Sequence, residues 1–261
     1  IPLPAIALYI IVMEVVLGIG GPEEISRSFM NDAVFFIMGS LMLAVAIVQQ
    51  GWDKRIALGI IRLTGNKTKN IVFGFTALSA VLSSFIGEHT VVALMLPIGM
   101  TLIKYTSEDR EKTRGLSAVL LLAIAYGALI GSMGTPSGGG RNVIIMSYLQ
   151  EIDISISYLL WMIKVYPLVL IMIPIISWIL IKSFAPEYVH LDTGVRKLVV
   201  QVAKSPELTG RNTIAMFIFF LVFLGWVFLS ETLGLGIIAL SGVLLYLIAG
   251  FVKWEDLSRN T

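Results

Sequence analysis

Apolar runs separated by short polar connections make up most of the chain. Stretches 2–20, 33–50, 115–133, 158–181, 212–230 and 235–252 are nearly uninterrupted in hydrophobic character. Each is long enough, as a helix, to cross the roughly 30 Å hydrocarbon core of a bilayer. Two shorter runs, 71–86 and 91–105, lie close together. As helices their arms would reach only about 24 Å each, so the pair reads as a re-entrant helical hairpin (71–105) that turns back near the midplane. Two further stretches are amphipathic. Trp52–Leu63 sets Ile56, Ile60 and Leu63 against Lys54, Arg55 and Arg62, and Val189–Val202 mixes Val195, Leu198 and Val202 with charges. Both predict helices lying in the membrane interface, with a solvated connector as the alternative. The expected fold is an all-α, polytopic membrane protein.

The charges orient the spans. Lys54, Arg55, Arg62, Lys67 and Lys69 fall in one connection, Lys104, Arg110, Lys112 and Arg114 in another, and Lys182, Arg196, Lys197, Lys204 and Arg211 in a third. The alternate connections hold Glu23, Glu24, Asp32, Glu151, Asp153 and Glu231, with Arg27 as their only base. Placing the basic connections in the cytoplasm gives one conflict-free topology. The first span then runs outward, the last runs inward, and the hairpin starts and ends on the cytoplasmic side. Composition agrees: 57% of the residues are hydrophobic and 14% charged, against about a quarter charged in soluble domains. This places the chain as a multi-pass protein in a lipid bilayer, and the cell (inner) membrane is the expected one. A net charge of +2 gives no basis for nucleic-acid binding. With no cysteine there is neither a disulfide nor a thiolate-held metal.

Two polar interruptions carry the candidate chemistry. Glu88 and His89 sit side by side between apolar runs, after Gly87 and before Thr90. Ionisable groups at membrane depth are costly and belong, as a rule, to functional sites. The second interruption is "GSMGTPSGGGRN", Gly131 to Asn142. Pro136 and the glycines at 138–140 cannot continue the helix begun near residue 115, which predicts a broken transmembrane helix over 115–149. Such a break presents a helix C-terminus and a helix N-terminus to one cavity. An ordinary external loop is the competing reading of the same residues.

An internal match adds to this. Ile6–Phe29 aligns without gaps on Ile238–Thr261, and seven of 24 positions are identical, including Gly18/Gly250, Glu23/Glu255, Ser26/Ser258 and Arg27/Arg259. The charge rule points the two copies in opposite directions, as in inverted-repeat transporters. Residues 1–230 are thus expected to form a first inverted repeat. Residues 235–261 would be the first span of a second repeat, with the chain truncated before that repeat's own hairpin.

These motifs resemble those of the divalent anion/sodium symporter family. "FIGEHTVVALMLPI", Phe85 to Ile98, is similar to its first hairpin tip, where the pattern is Ser-Asn-Thr, small residues, then Leu-Leu-Pro. "GSMGTPSGGGRN" is similar to its Gly-Thr-Pro…Pro-Asn break. Phe35–Leu58 and "WEDL", Trp254 to Leu257, follow in the family's order. The resemblance implies a secondary active transporter of small divalent anions (dicarboxylate, citrate or sulfate), with elevator-type alternating access in a homodimer. It implies substrate contacts from Glu88, His89, Thr90, Thr135, Pro136, Arg141 and Asn142. It also implies a sodium site drawing on Ser83, Gly87, Glu88 and Gly138, with no other cofactor. In this chain an acid and an imidazole stand where the family has an amide and a hydroxyl, and Arg141 stands where it has proline. Coupling to sodium and coupling to protons are both open at this point. A cation/proton antiporter of the same broad superfamily is the alternative function, although a cavity-facing Arg141 would repel cations. An enzyme is not expected. There is no H-E-x-x-H spacing, and the only other histidine is His190.

Overall fold

The computed structural model describes residues 3–49, 64–107, 109, 111–203 and 210–260. Among these the structure is helical, apart from one isolated bridge pairing Lys67 with His190. In chain order the helices are α1 (Leu3–Val16), α2 (Pro22–Phe29), α3 (Asp32–Gln49), α4 (Thr68–Ile86), α5 (Glu88–Thr106) and α6 (Arg114–Met133). They continue as α7 (Gly140–Glu151), α8 (Tyr158–Phe184), α9 (Asp192–Ala203), α10 (Gly210–Leu233), α11 (Leu235–Ile248) and α12 (Trp254–Asn260). Six helical segments among the described residues are long and apolar enough to cross a membrane. The protein is an all-α, multi-pass membrane protein. Large apolar side chains on α8 and α10, such as Leu170, Ile171, Phe217 and Phe228, point outward, as lipid-facing positions must.

The hairpin departs from its sequence-based dimensions. Its arms α4 and α5 have 19 residues each, about 28 Å rather than 24 Å. Arm length therefore gives no support to a re-entrant course. The turn between them is a single residue, Gly87 at φ +80°, a backbone region that other residues enter only with strain. The interfacial helix expected at 52–63 lies outside the described residues. Its counterpart at 189–202 is the shorter α9, preceded by a strap tied to the start of α4. Thr68 N donates to Val189 O at 3.0 Å and Leu191 N to Asn66 O at 2.8 Å.

Two large apolar clusters, with a smaller third around Ala80, Ile130, Val169 and Ile173, form the interior of the described residues. One joins α4, α5, α6 and the end of α8, through Phe75, Leu102, Leu120 and Leu180. The other joins α3, α10 and α11 around Phe36, Trp226 and Tyr246. Glycines allow the closest crossings. A Cβ at Gly131 would lie 1.9 Å from Ala80 O, and one at Gly127 would lie 2.5 Å from Thr76 O, so α4 and α6 touch backbone to backbone. Likewise a Cβ at Gly39 would meet that of Ala239 at 2.7 Å, between α3 and α11. Asp32 accepts from Leu235 N and Gly236 N, both at 2.9 Å, and so caps α11.

The two matching sequence stretches adopt the same local backbone. Both α1 and α11 have 14 residues. The expected first span 2–20 ends as a helix at Val16, because Gly18, at φ +67°, turns the chain. Gly250 does the same at φ +67° after α11. The closing bonds correspond one for one: Leu17 N to Met13 O and Ile19 N to Glu14 O in the first, Ala249 N to Leu245 O and Phe251 N to Tyr246 O in the second.

Candidate functional site

Helix α6 stops at Met133 because the next residues cannot extend it. Pro136 opens a single 3-10 turn, Pro136–Gly138, and α7 starts at Gly140. The expected broken helix is present, bounded by Arg114 and Glu151. Backbone groups freed at such a break need new partners, and neighbouring helices supply them. Asn142 Nδ2 donates to Ser132 O at 2.7 Å and to Thr135 O at 2.8 Å. Trp161 Nε1 donates to Met133 O at 2.9 Å. Thr135 Oγ1 accepts from Gly138 N at 3.1 Å and donates to Ser84 O near the end of α4. Ser137 Oγ bonds Tyr158 Oη at 2.7 Å and Ser84 O at 3.2 Å. These contacts fasten the break directly to the hairpin.

The two polar interruptions meet. Glu88, first residue of α5, accepts a hydrogen bond from Ser132 Oγ at 2.7 Å and forms an ion pair with Arg141 Nη2 from the first turn of α7. The Glu88 side chain is 20% exposed and that of Arg141 is 49% exposed, so the pair is partly sheltered while the guanidinium still faces open space. That space is a cavity of about 300 Å³ lined by Gly87, Glu88, His89, Thr90, Gly138 and Arg141, with Ile37, Ser40 and Leu41 of α3 opposite.

Of the residues singled out from sequence, Gly87, Glu88, His89, Thr90, Gly138 and Arg141 line this cavity. Thr135, Pro136, Asn142 and Ser83 do not. Thr135, Pro136 and Asn142 are buried behind it and shape the break. Ser83 is also buried, with its hydroxyl donated to Ala80 O at 3.2 Å. A hard cation here would draw on Glu88 and on the backbone around Gly87 and Gly138. Among the described residues no cluster of three or more His, Cys, Asp or Glu could hold a metal. His89 does not hydrogen-bond Glu88. Its imidazole is 98% exposed, and its Nε2 lies 3.8 Å from Glu88 Oε1, too far for a hydrogen bond. Sequence reasoning missed Ser132, Ser84, Ser137 and Trp161 as partners of the break. None of these stands out in an apolar helix until the break is folded.

A sequence model described as citrate transporter matches residues 1–260. The chain belongs to the citrate transporter family. Among its relatives, the sodium-dependent dicarboxylate transporter SdcS of Staphylococcus aureus (strain USA300) is 29% identical over 236 residues, covering 87% of this chain and 45% of that protein. The sodium-dependent high-affinity dicarboxylate transporter 3 of Caenorhabditis elegans is 29% identical over 247 residues, covering 87% and 43% respectively. The chain therefore spans less than half the length of these relatives. The family and the relatives are named as transporters, not enzymes.

Proposed function

We propose that this chain belongs to a secondary active transporter of small divalent anions (dicarboxylate, citrate or sulfate) in the cell membrane. The observation that carries the proposal is the meeting of the hairpin tip and the broken helix around Glu88, Ser132 and Arg141. A guanidinium offers fixed paired donors that match a carboxylate. On this reading a substrate carboxylate exchanges with Glu88 for Arg141, and Thr90 together with the helix starts at Glu88 and Gly140 receives the rest of the anion. Because Glu88 and Arg141 cancel, a bound dianion brings two uncompensated charges into a sheltered site. That is expensive in a medium of low polarity. Cations must accompany it, which supports symport with sodium, in keeping with relatives named as sodium-dependent, or with protons taken up at Glu88. The neutral pair also disfavours the cation/proton antiporter, whose site needs a free carboxylate.

The matching backbones of α1 and α11 support an inverted repeat over residues 1–230, with 235–261 opening its partner. The tip cavity lies level with Ile37–Leu41, the middle of α3, which supports a re-entrant hairpin ending near the midplane. In an elevator-type cycle the hairpin and the broken helix, joined by the α4–α6 contact, would move together against α3, α10 and α11 in each protomer of a homodimer. The test is uptake of labelled succinate and citrate by the reconstituted full-length protein, with sodium and pH gradients imposed separately. One gradient should drive uptake. Arg141→Ala should weaken it roughly 10- to 100-fold, as expected for losing a charged hydrogen-bond partner. Glu88→Gln should abolish a response to the pH gradient if protons couple, or only weaken sodium affinity if sodium does. Uptake indifferent to both gradients, or unchanged in Arg141→Ala, would overturn the assignment.

A further inference from the structure

A second cavity, of about 980 Å³, opens on the basic side of the protein between the start of α4, the end of α8 and the strap that precedes α9. Its polar lining is cationic or neutral, Lys67, Lys69, Asn70, Lys182, Tyr188 and His190, with no carboxylate among the described residues. The nearby acids are engaged elsewhere. Glu187 turns away to accept from Gly115 N and Leu116 N at 2.6 and 2.9 Å, and Asp192 accepts from Asn66 Nδ2. The apolar wall carries Trp178, 61% exposed on the outer face of α8, with Lys182 Nζ 5.0 Å from its ring centroid. Helix α4 begins at Thr68 without a side-chain cap, so the partial positive charge of its N-terminus faces the same region. Three lysines thus surround a hollow at the basic end of α8, where the charge rule puts the water–lipid boundary, and an indole and the exposed Ile171, Ile175 and Ile179 continue from it along the apolar helix.

We propose that this cavity binds the phosphate headgroup of an anionic phospholipid, whose acyl chains lie along Trp178 and the outer face of α8. The charge complementarity and the adjoining apolar wall select a lipid over a soluble anion, which would leave that wall unused. The bound lipid would join the base of the hairpin to the end of α8.

The full-length protein would be reconstituted in phosphatidylcholine containing either acyl-brominated phosphatidylglycerol or acyl-brominated phosphatidylcholine, and quenching of tryptophan fluorescence would be compared. Brominated phosphatidylglycerol should quench more at equal mole fraction, and the excess should vanish in Trp178→Phe. Replacing Lys67, Lys69 and Lys182 together by alanine should lower the relative affinity by about five-fold per lysine. The corresponding triple arginine variant keeps the charge and should keep the selectivity. Equal quenching by the two lipids would overturn the proposal, and so would an excess that survives the alanine variant or is lost in the arginine variant. Loss of the excess on adding millimolar inorganic phosphate, but not the same ionic strength of chloride, would reassign the site to a soluble anion and overturn the lipid.

Discussion

Glu187 lies on the exposed connection after α8, yet it closes the start of α6. Partial burial pushes its pKa up, but the N–H groups of Gly115, of Glu187 itself and of Leu116 more than offset this, so the carboxyl lies below its ordinary value of 4.5. A carboxyl depressed in the fold adds stability that is fully present above pH 4.5 and is lost as pH falls through the lower folded value. Glu187→Ala should lower the melting temperature modestly, as for a lost helix cap at the weaker, exposed end of the range (about 0.5 kcal/mol). The gap from the native chain should stay constant between pH 7 and 5 and narrow below 4.5, as read by thermal unfolding across pH. A gap independent of pH would show that the carboxylate charge is not what matters. Arg141 is the other residue whose place decides its role. Its pairing with Glu88 across 53 positions converts two isolated charges into one site.

At the scale of elements, the contact between α4 and α6 sets the geometry of the site, because it fixes the height of the hairpin tip against the break. That contact rests on absent side chains. Gly131→Ala would drive a methyl into the backbone of Ala80, whose oxygen lies 1.9 Å from the ideal Cβ position, and rigid backbone cannot yield. A loss at or above the usual 1–3 kcal/mol of overpacking is expected. Gly99→Ala is the control: its Cβ meets the end of a flexible side chain, Ile124 Cδ1, at 2.9 Å, and a rotamer change relieves it. Thermal unfolding of the purified full-length protein should place Gly131→Ala well below Gly99→Ala, and equal melting temperatures would refute the backbone-contact account. The broken helix follows the same logic. Its carbonyls at Ser132, Met133 and Thr135 all find donors, from Asn142 and Trp161, so the irregular backbone is held rather than loose.

For the molecule as a whole, the proposed transport cycle turns on the depth of the hairpin tip. Thr90→Cys in a cysteine-free full-length background should react poorly with a bulky impermeant thiol reagent added from outside, and saturating dicarboxylate should slow it further. Rapid labelling, like that of an external loop, would mean that the hairpin crosses completely. Much of the architecture was legible in the sequence: most of the apolar spans and the break at Pro136. Hydrophobic pattern and the loop distribution of lysine and arginine are answers to the surrounding solvent, so they are written locally and can be read locally. Helix ends were less legible. The polar Thr68 and Asn70 hid the true length of α4, and Gly18 cut α1 short. The site itself belongs to the tertiary structure. Adjacent in sequence, Glu88 and His89 part company, while Glu88 joins Ser132 and Arg141, and Ser84 joins Thr135 and Ser137. Those pairings depend on how closely two helices approach, and glycine at 127 and 131 permits an approach whose consequences appear only once α4 and α6 are packed.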